Sequence, residues 1–211
     1  PSGGNAPSAP SIKIKSWDPD VKYVKLMKAC GNDREKIYQV YYDQRQEYVE
    51  SPSFFFDCAD FLFKQGFSAD ALRVLTNIAE IQVENGQLLR IIGSKLHVEK
   101  QLQLAKYAFE RDMKLRPEEP QSYRDYALVL DDLKEYGPAM KYLWKVVTGT
   151  WDWRFDEIEL TALIELNRII HIIKRENQAD LIKQVPTKDE RFLVPFELDL
   201  RVALAWDLDM T

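Results

Sequence analysis

The sequence predicts an all-α chain, a right-handed superhelix of antiparallel helix pairs, with a short β segment at the C-terminus. Three observations predict it. Small residues recur in register: Ala59, Gly93 and Ala127 stand 34 residues apart, and so do Ala71, Ala105 and Ala139. Large apolar residues keep the same period, with Phe55, Leu89 and Tyr123 in one slot, Leu62, Leu96 and Leu130 in a second, and Leu75, Phe109 and Leu143 in a third. Near the end the period changes to two, because Phe196, Leu198, Leu200, Val202, Leu204 and Trp206 alternate with Glu197, Asp199, Arg201, Ala203 and Ala205.

Along the chain, residues 1–11 are Pro, Ser, Gly, Ala and Asn, without periodicity, and read as a flexible linker. Residues 12–51 read as a helical pair preceded by a short strand at Ile12-Lys13-Ile14. Asp18-Pro19 opens its first helix, with Val21, Val24, Leu26 and Met27 as the buried stripe. Gly31-Asn32-Asp33 breaks the chain, and a tyrosine-rich helix is expected from Asp33 to Glu50, burying Ile37, Tyr38, Tyr41, Tyr42 and Tyr48. Residues 52–153 form three repeats, 52–85, 86–119 and 120–153, each a helix, a turn and a helix. Gln65-Gly66 and Tyr136-Gly137-Pro138 are the expected turns within the first and third, and the run from Leu115 to Pro120 ends the second. Residues 154–185 supply capping helices, the main one from Asp156 to Glu176 with Ile158, Leu160, Leu163, Ile164, Leu166, Ile169, Ile170 and Ile173 as apolar positions. Residues 186–211 hold the β segment; since one strand is not stable alone, it is expected either to pair with Ile12-Lys13-Ile14 or, the preferred reading, to begin a following domain.

The register has a physical reason. One small residue lies on each helix of a pair, at the point where the helices cross. A bulky side chain there overpacks the crossing, at a cost of about 1–3 kcal/mol. Large apolar residues around the crossing fill the groove, each worth roughly 1.5–3 kcal/mol when fully buried.

A 34-residue helix-turn-helix period resembles the tetratricopeptide repeat family. The stretch from Ala105 through Phe109 to Pro117 is similar to that family's second helix and closing proline, whereas Phe55, Leu89 and Tyr123 replace its first-helix Trp. More narrowly, the Ser16-Trp17-Asp18-Pro19-Asp20 start and the ending from Leu200 to Asp209 resemble bacterial multidomain proteins. Those proteins join an inter-α-trypsin-inhibitor-type domain, a von Willebrand factor A domain, tetratricopeptide-like helices and a C-terminal β domain. The resemblance implies a helical module in an export-associated setting, with periplasm or cell envelope favoured and the cytoplasm as the alternative, and fixes no activity.

Composition narrows the function classes. With 29 Lys+Arg against 34 Asp+Glu, the net charge is −5, which argues against a dedicated nucleic-acid binder. No apolar run approaches the roughly 18 residues that span a bilayer. Cys30 and Cys58 allow one bridge at most, and Cys58, beside Ala59, is expected as a small core residue. His97 and His171 are the two histidines. His97-Val98-Glu99 matches H-x-E, yet no P-C-x-x-C follows, and a zinc site needs three or four ligands. His171, among isoleucines, is expected to be packed. Asp207-Leu208-Asp209-Met210-Thr211 after a strand matches the D-x-D-x-T motif of haloacid dehalogenase-type phosphatases. A strand-end turn is the preferred reading of it. No catalytic residue, cofactor or metal is assigned.

What remains is binding. In helix-pair repeats of this kind the first helices share a surface, and the register gives its positions: Phe56, Asp60 and Phe63, then Arg90, Ser94 and His97, then Arg124, Leu128 and Asp131. Arg90 and Arg124 lie one repeat apart, so they are expected to stack and, beside Phe56 and Phe63, to receive a peptide with a carboxylate and an apolar side chain. The Lys/Asn clamp of chaperone-binding tetratricopeptide proteins does not occupy these positions. The expected function is a non-enzymatic scaffold for a protein or peptide partner and for neighbouring domains. A structural spacer with no ligand is the alternative, and a phosphatase fragment the weakest.

Overall fold

The computed structural model of the chain describes residues 21–81 and 85–189. Among them all regular structure is helical. The expected strands at Ile12-Lys13-Ile14 and Phe196–Trp206, the Asp18-Pro19 cap and the D-x-D-x-T motif lie outside the described residues. The helices are α1 (Lys22–Ala29), α2 (Arg34–Arg45), α3 (Pro52–Lys64), α4 (Ser68–Ile81), α5 (Gly86–Val98), α6 (Leu102–Leu115), α7 (Pro120–Asp132), α8 (Tyr136–Thr148), α9 (Ile158–Arg175) and α10 (Ala179–Ile182), with a 3₁₀ turn at Trp153–Phe155. Two compact units divide inside α4, Pro1–Val74 and Leu75–Thr211.

In the first unit, α1 packs on α2 and α3 around an aromatic cluster. Phe54, fully buried, meets Tyr23 edge-on at 4.9 Å between ring centres, and stacks with Tyr48 at 5.2 Å and Tyr41 at 5.8 Å. Such pairs add about 0.5–1.5 kcal/mol each beyond their buried area. Tyr23, Val24 and Met27 form the α1 stripe. Leu26, expected to be buried, is exposed, because it sits on the opposite flank from those three. The α2 helix is shorter than expected, ending at Arg45, and Tyr42 faces solvent on the turn opposite Ile37 and Tyr41.

In the second unit, consecutive helices pack from α5 to α9, α7 also meets α9, and α10 closes on α9. The crossing positions are as tight as the register demands. Ala105, Ala127 and Ala139 are wholly buried, as are Ala59 and Ala71 in the first unit. A Cβ on Gly93 would lie 2.8 Å from the Phe109 ring, closer than real contacts allow, so any larger residue where α5 crosses α6 makes that ring shift.

Three turns repeat with atomic fidelity. Gly66, Lys100 and Lys134 take positive φ of 83°, 58° and 62°, one repeat apart. After each, an amide reaches back over the helix end: Phe67 to Leu62 at 2.9 Å, Gln101 to Leu96 at 2.8 Å and Glu135 to Leu130 at 2.8 Å. This is a Schellman stop, which favours glycine because a Cβ is strained at positive φ. The first of these falls at the expected Gln65-Gly66 turn, whereas Tyr136-Gly137-Pro138, expected as the third, instead forms the first turn of α8. The real stop is Lys134, disguised by its lysine.

Helix starts repeat too. Ser51 Oγ accepts from Phe54 N–H and Asn85 Oδ1 from Leu88 N–H, at 3.4 and 3.2 Å. Pro52, Gly86 and Pro120 hold the first helical position. Beyond α8, Trp151 Nε1 donates to Val146 O at 2.8 Å and its ring sits 5.8 Å from Tyr123. Along α9, Leu166, Ile169, Ile170 and Ile173 are buried. Leu160 is exposed instead, one turn from the helix start, and His171 faces solvent rather than packing, because it falls outside that stripe. Cys58 is fully buried, and both cysteines are free thiols.

Candidate functional site

The expected binding positions lie on the first helices of the pairs. In the second unit these are α5, α7 and α9, and polar side chains join them rung by rung. Arg90 Nε on α5 donates to Asp125 Oδ2 on α7 at 3.0 Å, 35 residues away. One helix turn pair further along, His97 Nε2 lies 2.8 Å from Asp132 Oδ2, again 35 residues away. From α7, Arg124 grips Glu165 on α9 through Nε and Nη2 at 2.9 and 2.5 Å. Asp131 takes a hydrogen bond from Arg168 of α9. In the first unit Tyr23 Oη of α1 donates to Asp57 of α3 at 2.8 Å across 34 residues, joining first helices, whereas Arg34 of α2 donates twice to Asp70 of α4 at 2.6 and 2.9 Å across 36 and joins second helices.

These rungs are partly or wholly desolvated, and that decides their electrostatics. Burial pushes the Asp125 carboxyl above its ordinary value, against the pull of Arg90, the Gln121 amide at 2.6 Å and Arg124. Burial likewise raises Glu165, opposed by Arg124. Tyr23 is raised by burial and by its bond to Asp57, and the Cys58 thiol by burial and then the Asp57 charge. Neither Cys58 nor Tyr23 is poised as a nucleophile, since both are held protonated at neutral pH.

Each predicted position has a definite place. Arg124 and Asp131 are buried in the α7–α9 rungs, and Arg90 and His97 are half-buried in the α5–α7 rungs. Ser94 lies between Arg90 and His97 on the same face of α5 and is exposed. Leu128 lies between Arg124 and Asp131 on α7 and is half-buried. In the first unit Phe56 and Asp60 are half-buried, Asp60 pairs with Lys64 at 2.6 Å, and Phe63 is buried. Arg90 and Arg124 do not form a free guanidinium stack: each carries its own carboxylate.

The partners of Arg90, His97, Arg124 and Asp131, namely Asp125, Asp132, Glu165 and Arg168, were not among the expected positions, and neither was any member of the pairs Tyr23–Asp57 and Arg34–Asp70. A signal existed. Arg90/Asp125 and His97/Asp132 are both basic-acidic pairs at the same 35-residue offset, one more than the repeat.

A second polar cluster fixes the junction of α6 and α7. Asp112, fully buried, accepts two bonds from Arg116 at 2.7 and 2.8 Å, and Arg116 reaches Glu119 at 2.7 Å. A Cβ on Gly86 would lie 2.7 Å from Arg116 Nε, so the start of α5 is fitted to this ion pair. Tyr123 Oη donates to Pro117 O at 3.0 Å and holds the proline turn. Among the described residues no group of three or more His, Cys, Asp and Glu could hold a metal ion, and no helix is long and apolar enough to cross a membrane.

No protein-family model matches the chain, and no curated protein matches it. Solved structures do. The crystal structure of MamA aligns with a TM-score of 0.49 at 16% identity, covering 85% of this chain and 96% of that one. A MamA fragment from Desulfovibrio magneticus RS-1 gives 0.48 at 16%, over 79% and 95%. PilF of Pseudomonas aeruginosa gives 0.46 at 15%, over 81% and 76%. At these similarities nothing about function passes from those proteins to this chain.

Proposed function

We propose that the chain is a non-enzymatic, tetratricopeptide-like scaffold that docks a protein segment on the first helices of its repeats and serves as one module of a larger multidomain protein. The supporting observation is the placement of Ser94 and Leu128. They are accessible on a face whose flanking residues are all held rigid by the rungs Arg90–Asp125 and Arg124–Glu165. A rigid, preorganised face loses little entropy on binding. Taken by itself, the first unit has Phe56, Asp60 and Phe63 as proposed contact positions; in the second unit Arg90, His97, Arg124 and Asp131 shape those around Ser94 and Leu128. The resemblance to von Willebrand-type multidomain proteins supports an envelope setting as part of this proposal.

A second reading has its own observation. Arg90 and Arg124 already carry internal carboxylates, which favours a spacer whose polar residues serve only to stiffen the packing of one helix pair on the next. One experiment separates the two. Quantitative partner recovery with the wild-type chain is compared with recovery by a Ser94→Arg/Leu128→Glu variant of equal helicity. Docking predicts that specific partners are lost; the spacer reading predicts identical recovery.

A further inference from the structure

One side of α8 carries a cleft of about 590 Å³, a size that suits a ligand. Pro138, Lys141, Tyr142 and Trp144 line one wall, and Gln184 and Pro186, past α10, line the other. The walls are fitted to each other: a Cβ on Gly137 would collide with Gln184 Oε1, so the chain after α10 lies directly on the first turn of α8. None of these residues belongs to the rungs. The cleft is also stiff. Tyr142 stacks on Tyr123 with ring centres 6.3 Å apart and meets Tyr126 edge-on at 5.1 Å, and the two proline rings hold a fixed φ. Lys141 is exposed and has no carboxylate partner among the described residues, whereas Lys95, Lys106 and Lys114 pair with Glu99, Glu135 and Glu110.

We infer that this cleft takes a proline-rich protein segment bearing a carboxylate, with proline rings against Tyr142, Trp144 and Pro138 and the carboxylate at Lys141. Two features choose this occupant. A ligand carboxylate gains a cation at Lys141 without displacing one already bound there, which is the charge complementarity that selects a partner. The second feature is the shortage of acceptors for a ligand N–H. Lys141 and Trp144 side chains only donate, and Gln184 turns its Oε1 onto Gly137. Proline brings no N–H into such a cleft while keeping its carbonyl for those donors. A polyproline stretch is already extended before it binds, and stiff walls meeting a stiff ligand lose little entropy.

The test uses the full chain and labelled oligoprolines, read by fluorescence anisotropy. One probe carries a glutamate at each end and a second a lysine at each end; a third sets the same glutamates around a glycine-serine stretch. Lys141 is exposed, so Lys141→Glu carries little folding risk, and Trp144→Leu is checked for unchanged helicity. The glutamate-flanked oligoproline is expected to bind wild type about tenfold or more tighter than the other two probes, and to lose about tenfold or more in both variants. The Ser94→Arg/Leu128→Glu variant is expected to bind it as wild type does, which keeps this cleft separate from docking on the first helices. Failure of that probe to bind, equal binding of the glycine-serine probe, or an affinity unchanged by Lys141→Glu overturns the inference and leaves first-helix docking standing. Loss of binding in the Ser94→Arg/Leu128→Glu variant alone assigns the probe to the first helices and equally overturns it.

Discussion

Arg90 and Asp125 meet at 3.0 Å across 35 residues, joining the first helix of one repeat to the first helix of the next while both side chains are largely withdrawn from solvent. Removing one partner strands the other. Arg90→Met is expected to destabilise the chain by about 3 kcal/mol, whereas Arg90→Met/Asp125→Leu recovers most of that loss, since two apolar groups replace the pair. Denaturant midpoints for the two variants check this. A single variant as stable as wild type would show that the rung contributes nothing.

The pH response follows from the same carboxylates. Burial raises Asp125 and Glu165 in the folded chain above their ordinary, unfolded values. Over the window between the unfolded and folded values, the folded state binds more protons, so stability falls as pH rises through it and these two groups add stability on acidification. Exposed Asp33 and Asp152 act oppositely: hydrogen bonds from Lys36 and from the Arg154 backbone lower them, so their contribution is lost as pH falls. The Asp125→Asn variant should therefore lose less stability than wild type when pH rises out of the acid range. Parallel stability–pH curves for the two would refute the assignment.

At the α5–α6 crossing, alanine ought to help a helix by about 1 kcal/mol over glycine. The Phe109 ring 2.8 Å from the would-be Cβ reverses the sign. Gly93→Ala is expected to destabilise by about 1 kcal/mol in the wild-type background and to stabilise in a Phe109→Leu background, where the ring no longer intrudes. Thermal unfolding of the four combinations reads this directly.

Lys100 and Lys134 hold the positive-φ position that Gly66 holds in the first repeat. Placing glycine at either is expected to stabilise by about 1 kcal/mol, the strain of a side chain in the left-handed region. The two gains should add, because the turns lie a repeat apart and share no partner. Gly66→Ala is expected to cost a similar amount.

That third turn shows where sequence reading succeeds and where it stops. Core positions such as Ala105, Leu130 and Leu143 were legible because close packing admits few residue types, and each repeat restates the constraint. The stop at Lys134 was not, since positive φ is a backbone property that lysine can satisfy at a cost, leaving no glycine to read. Tyr42, Leu26, Leu160 and His171 were misplaced for another reason. A run of apolar residues marks a helix, but which of them faces inward depends on the neighbouring helix, and no neighbour is visible in the sequence. The binding positions were found as a face, while their charges were read as free. Their partners sit a repeat away, and a long-range pair leaves only the faint trace of a matched offset.

The claim on which the rest depends is that charged residues of the first helices hold successive repeats together. A double-mutant cycle on Arg124 and Glu165, using Arg124→Met and Glu165→Leu with unfolding free energies in low and high salt, measures it most directly. The predicted coupling is about 2 kcal/mol and nearly independent of salt, as befits a desolvated pair with two hydrogen bonds. A coupling within about 0.5 kcal/mol of zero, the range for independent sites, would contradict it.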